Sequence, residues 1–178
     1  LYHTDHITTV SPNYAEEIQT ESLGFGLQGL LAGRRQHITG ILNGISTSEW
    51  DPATDPHLAK NYTNKKLSDK AVNKSTLQQQ MGLAVDADIP LFGIVSRLNH
   101  QKGTDLLIQV APQITKIPAQ LVILGSDHAE LEHQLTALTQ TYPHEIAVRI
   151  GFSEALSHLI EAGADCFLMP SRFEPCGL

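Results

Sequence analysis

Apolar residues in the second half of the chain follow two alternating patterns. Short apolar runs are separated by stretches in which apolar residues recur every three or four positions, as on one face of a helix. Strands that alternate with helices in this way predict a parallel α/β sheet. The predicted strands lie at residues 91–95, 121–124, 146–150 and 166–169.

The stretches between these strands predict three amphipathic helices. A proline inside a helix costs roughly 3 kcal/mol, so Pro112 predicts that the first helix kinks there or is shorter than its pattern suggests. The apolar faces consist of Leu107, Val110, Ala111 and Ile114 in the first helix, Leu131, Leu135 and Leu138 in the second, and Leu156, Leu159 and Ile160 in the third.

The third predicted strand differs from the first two. Residues 91–95 and 121–124 are continuously apolar, whereas residues 146–150 alternate, with Ala147 and Arg149 between larger apolar side chains. Alternation is typical of an edge strand with one face in water. In the doubly wound order 3-2-1-4 the third strand is the outer one, so pattern and order agree.

The first half of the chain is less regular. A polar, turn-rich segment at residues 46–64 is predicted to be a surface connection. Gly82 is predicted to end the helix that follows this segment. The elements predicted in this half are strands at residues 5–10 and 38–42 and helices at residues 12–19, 26–32 and 68–81.

Composition narrows the class of protein. The chain has 178 residues, 41% of them hydrophobic and 17% charged, which favours a folded globular protein. A formal net charge of -7 without long charged runs gives no field that attracts nucleic acid, and no apolar stretch is long enough to span a membrane. The two cysteines have no zinc or disulfide spacing, which favours a reducing compartment. Without an initiator methionine, the sequence is expected to begin and end within a longer protein.

Candidate chemistry follows from the topology. Ligands of a doubly wound sheet bind outside the carboxyl ends of its strands, where the loops after the first and fourth strands face each other. Arg97 and Lys102 follow the first strand, just before a helix whose free N–H groups favour an anion. Glu174 follows the fourth. These residues predict a phosphate-bearing ligand held by the two cations, with the carboxylate accepting hydrogen bonds from sugar hydroxyls.

Four separated strings along the chain are specific enough to compare with known families. They are V-S-P-x-Y-A-x-E-I at 10–18, G-I-L-N-G-I at 40–45 with Trp50, Pro52 and Asp55, S-R-L-x-x-Q-K-G at 96–103, and G-A-D-x-F-L-M-P-S-R-F-E-P-C-G-L at 163–178. These strings resemble motifs of the bacterial glycogen synthase and plant starch synthase family, in that family's order. Together they extend over nearly the whole chain, which is stronger evidence than any one of them.

The resemblance implies the glycosyltransferase-B fold, an α/β architecture of two Rossmann-like domains. Residues 1–85 would be the end of the acceptor-side domain and its connection, and residues 86–178 the truncated first part of the donor-binding domain. Family members transfer glucose from ADP-glucose, or less often UDP-glucose, to the non-reducing end of an α-1,4-glucan with retention. The resemblance implies neither a metal nor another cofactor, and it implies the bacterial cytoplasm, or the plastid in a plant or alga.

The resemblance also implies roles for individual residues. Arg97 and Lys102 would stabilise the negative charge that grows on the departing nucleoside diphosphate. Glu174 would lie near the donor sugar, although a retaining transferase of this kind need not use it as a nucleophile. The other implied contacts are Phe152 beside the adenine, and the backbone of Cys176, Gly177 and Leu178 near phosphate and sugar.

The sequence leaves other functions open. The chain could belong to a non-catalytic nucleotide-sugar or glucan-binding module, or to another glycosyltransferase-B enzyme that uses UDP-sugars on a different acceptor. A nicotinamide-dependent dehydrogenase is the least favoured, because the first strand is followed by Ser-Arg-Leu and not by a glycine fingerprint. The G-x-G-x-x-G string at 24–29 follows a predicted helix, so it is not interpreted as a dinucleotide site.

Several residues also have structural interpretations. Phe152 could be a core residue, and His158 is interpreted as structural or as a helix-surface residue. His3 and His6 lack further metal ligands nearby in sequence and are expected to be exposed. The turn at 124–128 lacks a second glycine expected from the family, which weakens the case for close approach of its backbone to a ligand.

The fragment itself is expected to be inactive, because the resemblance leaves family motifs on both sides of it unmatched. Ending after the fourth strand would also expose the backbone edge of residues 166–169. We therefore expect poor solubility or self-association of the isolated chain.

Overall fold

The structure is a computed structural model that describes residues 1–176. These residues form two compact units, one from Leu1–Ser46 with a few residues from Glu174 onward, the other from Thr47–Phe173. Both contain parallel strands and helices, so the predicted α/β class is confirmed. None of the helices within residues 1–176 has the length and apolar content that crossing a membrane requires.

The first unit contains a parallel pair of strands, β1 and β2. Ser11 precedes the first helix, and its hydroxyl accepts a hydrogen bond from the backbone N–H of Tyr14 at 3.4 Å, as an N-cap does. The predicted strands and helices are all present; three have shorter bounds, and the helix predicted at 26–32 begins two residues later and ends one residue later. They are β1 (Ile7–Val10), α1 (Pro12–Glu17), α2 (Gln28–Gly33), a 3-10 turn (Arg35–His37) and β2 (Ile38–Ile41).

The second unit is built on a parallel sheet in the order β5-β4-β3-β6. This is the predicted 3-2-1-4 order, and it confirms the doubly wound arrangement. The elements are a 3-10 turn (Leu67–Asp69), α3 (Lys70–Gln80), β3 (Leu91–Val95), α4 (Thr104–Ile114), β4 (Gln120–Gly125), α5 (Ala129–Thr141), β5 (Ile146–Ile150), α6 (Glu154–Gly163) and β6 (Cys166–Phe167).

Two apolar clusters cover the two faces of this sheet. One joins α3 and α6 to the sheet, and the other joins α4 and α5 to its opposite face. The central strand β4 is buried along its whole length, as its continuous apolar run predicts. The largest fully buried apolar side chains are Leu77, Leu91, Leu98, Leu121, Ile123, Leu124, Leu135, Ile146, Ile160 and Val122.

The helix α4 departs from its predicted face at one position. Leu107 and Ala111 are buried, but Val110 is 42% exposed, so its assignment to the apolar face is wrong. The helix also continues past Pro112 to Ile114. Pro112 lies in the last turn of the helix. The hydrogen bond that it removes is therefore close to the end of α4, where few residues depend on it.

The edge strand β5 is where predicted, but its burial does not alternate as predicted. Ile146 and Ala147 are both buried, whereas Arg149 and Ile150 are both exposed. Burial therefore changes along the strand, because Ala147 joins the apolar cluster that includes α6.

The segment before α3 is more than a surface connection. Residues 47–66 contain no helix and no strand beyond one isolated bridge, yet Asp55 is only 6% exposed, so the prediction fails there. At the other end of α3, Gly82 has φ +74, and the N–H of Leu83 donates to the carbonyl of Gln78 at 2.9 Å. This confirms the predicted C-cap. The helix packs on α6 within the second unit, while the predicted domain boundary near residue 85 stays a prediction.

Candidate active site

The loops after β3 and β6 lie against each other, as the topology predicts. Gly103 has φ +73, and a Cβ at this position would collide with the carbonyl of Pro170. The backbone N–H of Arg172 donates to the carbonyl of Gln101 at 2.8 Å, which joins the same loops. Glycine is therefore required at this contact between the two loops.

An ion pair holds the second loop on the start of α4. The guanidinium of Arg172 donates to both carboxylate oxygens of Asp105 at 2.7 and 2.6 Å, and to the carbonyl of His100 at 2.6 Å. Hydrogen bonding from Arg172 holds the pKa of Asp105 well below its usual range. A bidentate arginine–carboxylate pair fixes orientation as well as distance.

The turn after β4 braces the loop after β3 from its other side. The N–H of Leu98 donates to the carbonyl of Ser126 at 3.1 Å, and the N–H of His128 donates to the carbonyl of Leu98 at 3.2 Å. The side-chain amide of Asn99 donates to Asp127 at 2.7 Å. Much of the turn at 124–128, which lacks an expected glycine, is therefore hydrogen-bonded to the loop after β3.

Arg97 and Lys102 both stand on this doubly braced loop. Arg97 is exposed, and its guanidinium donates to the side-chain oxygen of Gln101 at 3.4 Å. Lys102 is partly buried, and its backbone N–H donates to Asn99 Oδ1 at 3.0 Å. The first turn of α4 follows at Thr104. The two predicted cations thus sit at the entrance to a helix, where an anion is favoured.

Glu174 directly follows the other loop in sequence. It is partly buried, and it comes one residue after Phe173, whose carbonyl accepts a hydrogen bond from the side-chain amide of Gln101 at 3.4 Å. Cys176 is partly buried and its thiol is not in a disulfide among the described residues. The predicted contacts of Gly177 and Leu178 lie outside the described residues.

Phe152 is not a core residue. It is 87% exposed, in the turn between β5 and α6, so the core interpretation is wrong. Gly151 before it has φ +122, and the hydroxyl of Ser153 after it accepts from the N–H of Leu156 at 3.3 Å to begin α6. The turn presents the aromatic ring to solvent, where a flat ligand could stack on it.

A second group of side chains, around His158, was not predicted from the sequence. His158 is buried on α6, so its interpretation as a helix-surface residue is wrong. It contacts Asp55 through one ring nitrogen at 2.7 Å, and the ring of Trp50 stacks on it with centroids 3.8 Å apart and 7° between planes. Trp50 and Asp55 belong to one of the strings noted above, but no local pattern indicates a partner about a hundred residues away.

A doubly wound sheet with cations on a braced loop at its carboxyl edge defines a Rossmann-like unit suited to binding a phosphate-bearing ligand. The chain belongs to the family described as "Glycosyl transferases group 1", which its sequence matches over residues 78–178. Residues 1–33 match a second family, "Starch synthase catalytic domain".

Individual relatives agree with this assignment. The chain is 66% identical over all 178 of its residues to a protein named glycogen synthase from Nitrosomonas eutropha, and 62% identical to one from Nitrosospira multiformis. It covers 36% of the length of each. The catalytic domain of starch synthase IV from Arabidopsis thaliana, solved with ADP and acarbose, superposes over 98% of the chain with a TM-score of 0.91 at 38% identity. The chain covers 36% of that structure. The predicted resemblance to glycogen and starch synthases is thereby confirmed.

Proposed function

We propose that this chain is an internal part of a glucosyltransferase of the glycogen synthase type. The whole protein would transfer glucose from a nucleoside diphosphate donor to the non-reducing end of an α-1,4-glucan, with retention at the anomeric carbon. Identity of 66% to a named glycogen synthase supports this proposal. The observation that carries it is the braced loop on which Arg97 and Lys102 precede α4.

The chemistry of the loop suits a diphosphate leaving group. As the bond to the sugar breaks, negative charge grows on the phosphate oxygens, and Arg97 and Lys102 would stabilise that charge. Contacts to Asn99 and Gln101 hold the loop before the reaction begins, so little reorganisation is needed as charge develops. Glu174 would accept hydrogen bonds from hydroxyls of the donor sugar.

ADP-glucose is the proposed donor, with UDP-glucose as the alternative. The starch synthase relative was solved with ADP, and the exposed ring of Phe152 offers a face on which an adenine would stack. The backbone of Cys176, Gly177 and Leu178 would complete the contacts to phosphate and sugar. We place the donor-binding part at residues 86–178, the end of the acceptor-side domain at 1–85, and the whole protein in the bacterial cytoplasm. No nucleic acid or membrane partner is proposed.

The direct test is elongation of glycogen by the chain with its flanking sequence restored. We expect turnover that depends on ADP-glucose, and a loss of at least about a hundredfold in kcat for Arg97→Ala and for Glu174→Ala, as for removal of other charge-stabilising groups. Arg149→Ala is the matched control, because this exposed arginine lies on the edge strand β5. It should keep full activity.

The same assay separates the proposal from its alternatives. A protein that binds ADP but never elongates glucan would be the non-catalytic module. A protein active with a UDP-sugar on another acceptor would be a different transferase of the same fold. Full activity of Arg97→Ala would contradict the assigned role while leaving the family unchanged.

A further inference from the structure

The buried ring of His158 has one nitrogen bound and one available. Nδ1 lies 2.7 Å from Asp55 Oδ2, and both side chains are almost completely buried. An ionised carboxylate only accepts hydrogen bonds, so Nδ1 carries the proton and donates it. In the neutral ring, Nε2 then presents a lone pair. This Nε2 is buried and has no hydrogen-bond partner among the described residues.

Two further ligand-type side chains surround this histidine. A ring nitrogen of His57, a ring nitrogen of His158 and a carboxylate oxygen of Glu154 all lie within 4.8 Å of one another. Glu154 and His158 are four residues apart on α6, so they share one face of the helix. His57 comes from the connection that contains Asp55, and its ring centroid lies 4.8 Å from that of His158.

We propose that His57, Glu154 and His158 bind a divalent transition-metal ion of the zinc type. Two imidazoles and a carboxylate are a common zinc ligand set that leaves a fourth position for water. The Asp55 contact is the second support, because ligating histidines almost always donate their other N–H to a carboxylate or a carbonyl. The family resemblance implies no metal, so a metal ion at these residues goes beyond the proposed function.

The geometry requires only small adjustments. Ligands about 2.0–2.2 Å from a tetrahedral zinc lie about 3.3–3.5 Å from one another, so the cluster must contract. Neither Glu154 nor His57 is buried, which leaves room for both side chains to move, whereas Asp55 and Trp50 contact the buried ring of His158. The bound ion would tie the connection at residues 50–57 to α6.

Cobalt(II) titration of the chain, followed by its visible absorption, tests the site. We expect a saturable band with one equivalent of cobalt, displaced by zinc, and an affinity at least tenfold lower in His57→Ala and in Glu154→Gln. Zinc should also raise the melting temperature of the unaltered chain and not that of His57→Ala. His133→Ala is the matched control, because this histidine is exposed on α5, and it should leave the titration unchanged.

These variants avoid His158, whose removal would leave the buried Asp55 Oδ2 without its ring partner and could unfold the region. Other outcomes would overturn the proposal. Binding that survives both variants but is lost in His3→Ala or His6→Ala would place the metal near the start of the chain. A thiolate charge-transfer band would place it at a cysteine. Absence of any saturable cobalt band would show that the cluster is an ordinary histidine contact.

Discussion

At the scale of single residues, Asp105 is the clearest example of a side chain that fixes the position of a loop at the site. Arg172 and Asp105 form a bidentate pair between the loop after β6 and the first turn of α4. Arg97, Lys102 and Glu174 could be predicted as site residues because strand ends and helix starts are visible in the apolar pattern. The pairing of Arg172 with Asp105 could not be predicted, because which side chain an arginine reaches depends on how two loops pack.

The pair predicts a specific pH dependence of stability. Hydrogen bonding from Arg172 lowers the pKa of Asp105 in the folded state, below the value of about 3.9 usual for an unfolded aspartate. Its contribution is therefore fully present above about pH 5 and is lost as the pH falls towards the lowered pKa. Asp105→Asn should be less stable than the unaltered chain at pH 7, and the difference should shrink below about pH 4.

Urea unfolding at pH 7, 5 and 3 measures this difference. Asp88→Asn is the control, because this carboxyl is exposed and takes part in no salt bridge recorded among the described residues. Asp88→Asn should change the free energy of unfolding only slightly, and this change should not depend on pH in the same way. A difference between Asp105→Asn and the unaltered chain that stays constant down to pH 3 would refute the role given to the ion pair.

At the scale of elements, the sequence predicts which segments are strands and helices better than it predicts their burial. The apolar runs place β3 and β5 at their observed bounds, because a short run flanked by turns leaves little freedom. The predicted burial was wrong at Val110, Ala147 and Asp55. Ala147 and Asp55 are covered through α6, and no periodicity within either segment records the helix that packs against it.

The packing of α6 on β3 gives a prediction at this scale. A Cβ at Gly93 would lie 2.7 Å from Ile160 Cγ2 and 2.9 Å from the Cβ of Ala164, so the helix must move outward to admit it. Overpacking of this kind costs about 1–3 kcal/mol. We expect Gly93→Ala to lower the free energy of unfolding by that amount, measured in urea.

A second glycine provides the comparison. A Cβ added at Gly29, inside α2, would meet no atom of the described residues within 4 Å, and alanine favours helix more than glycine does. Gly29→Ala should be neutral or stabilising. Equal losses of stability in both variants would show that the close contact of α6 with β3 is not what makes Gly93 intolerant.

At the scale of the whole molecule, the chain spans 36% of the length of the two glycogen synthases named above, and the edge strand β6 gives a prediction for the isolated chain. Among the described residues β6 pairs only with β3, and Phe167 and Met169 near its free edge are 41% and 59% exposed. Unpaired strand edges with apolar side chains favour edge-to-edge association.

We therefore expect the 178-residue chain alone to self-associate as its concentration rises, and the chain with restored flanks not to do so, in sedimentation velocity. A lysine on the strand edge blocks such pairing, so Phe167→Lys should shift the isolated chain towards monomer. Ile117→Lys adds the same charge at an exposed apolar position after α4, away from β6, and should change little. If both lysine variants reduced association equally, net charge and not the edge of β6 would be responsible, and a monomeric unaltered chain would refute the expectation outright.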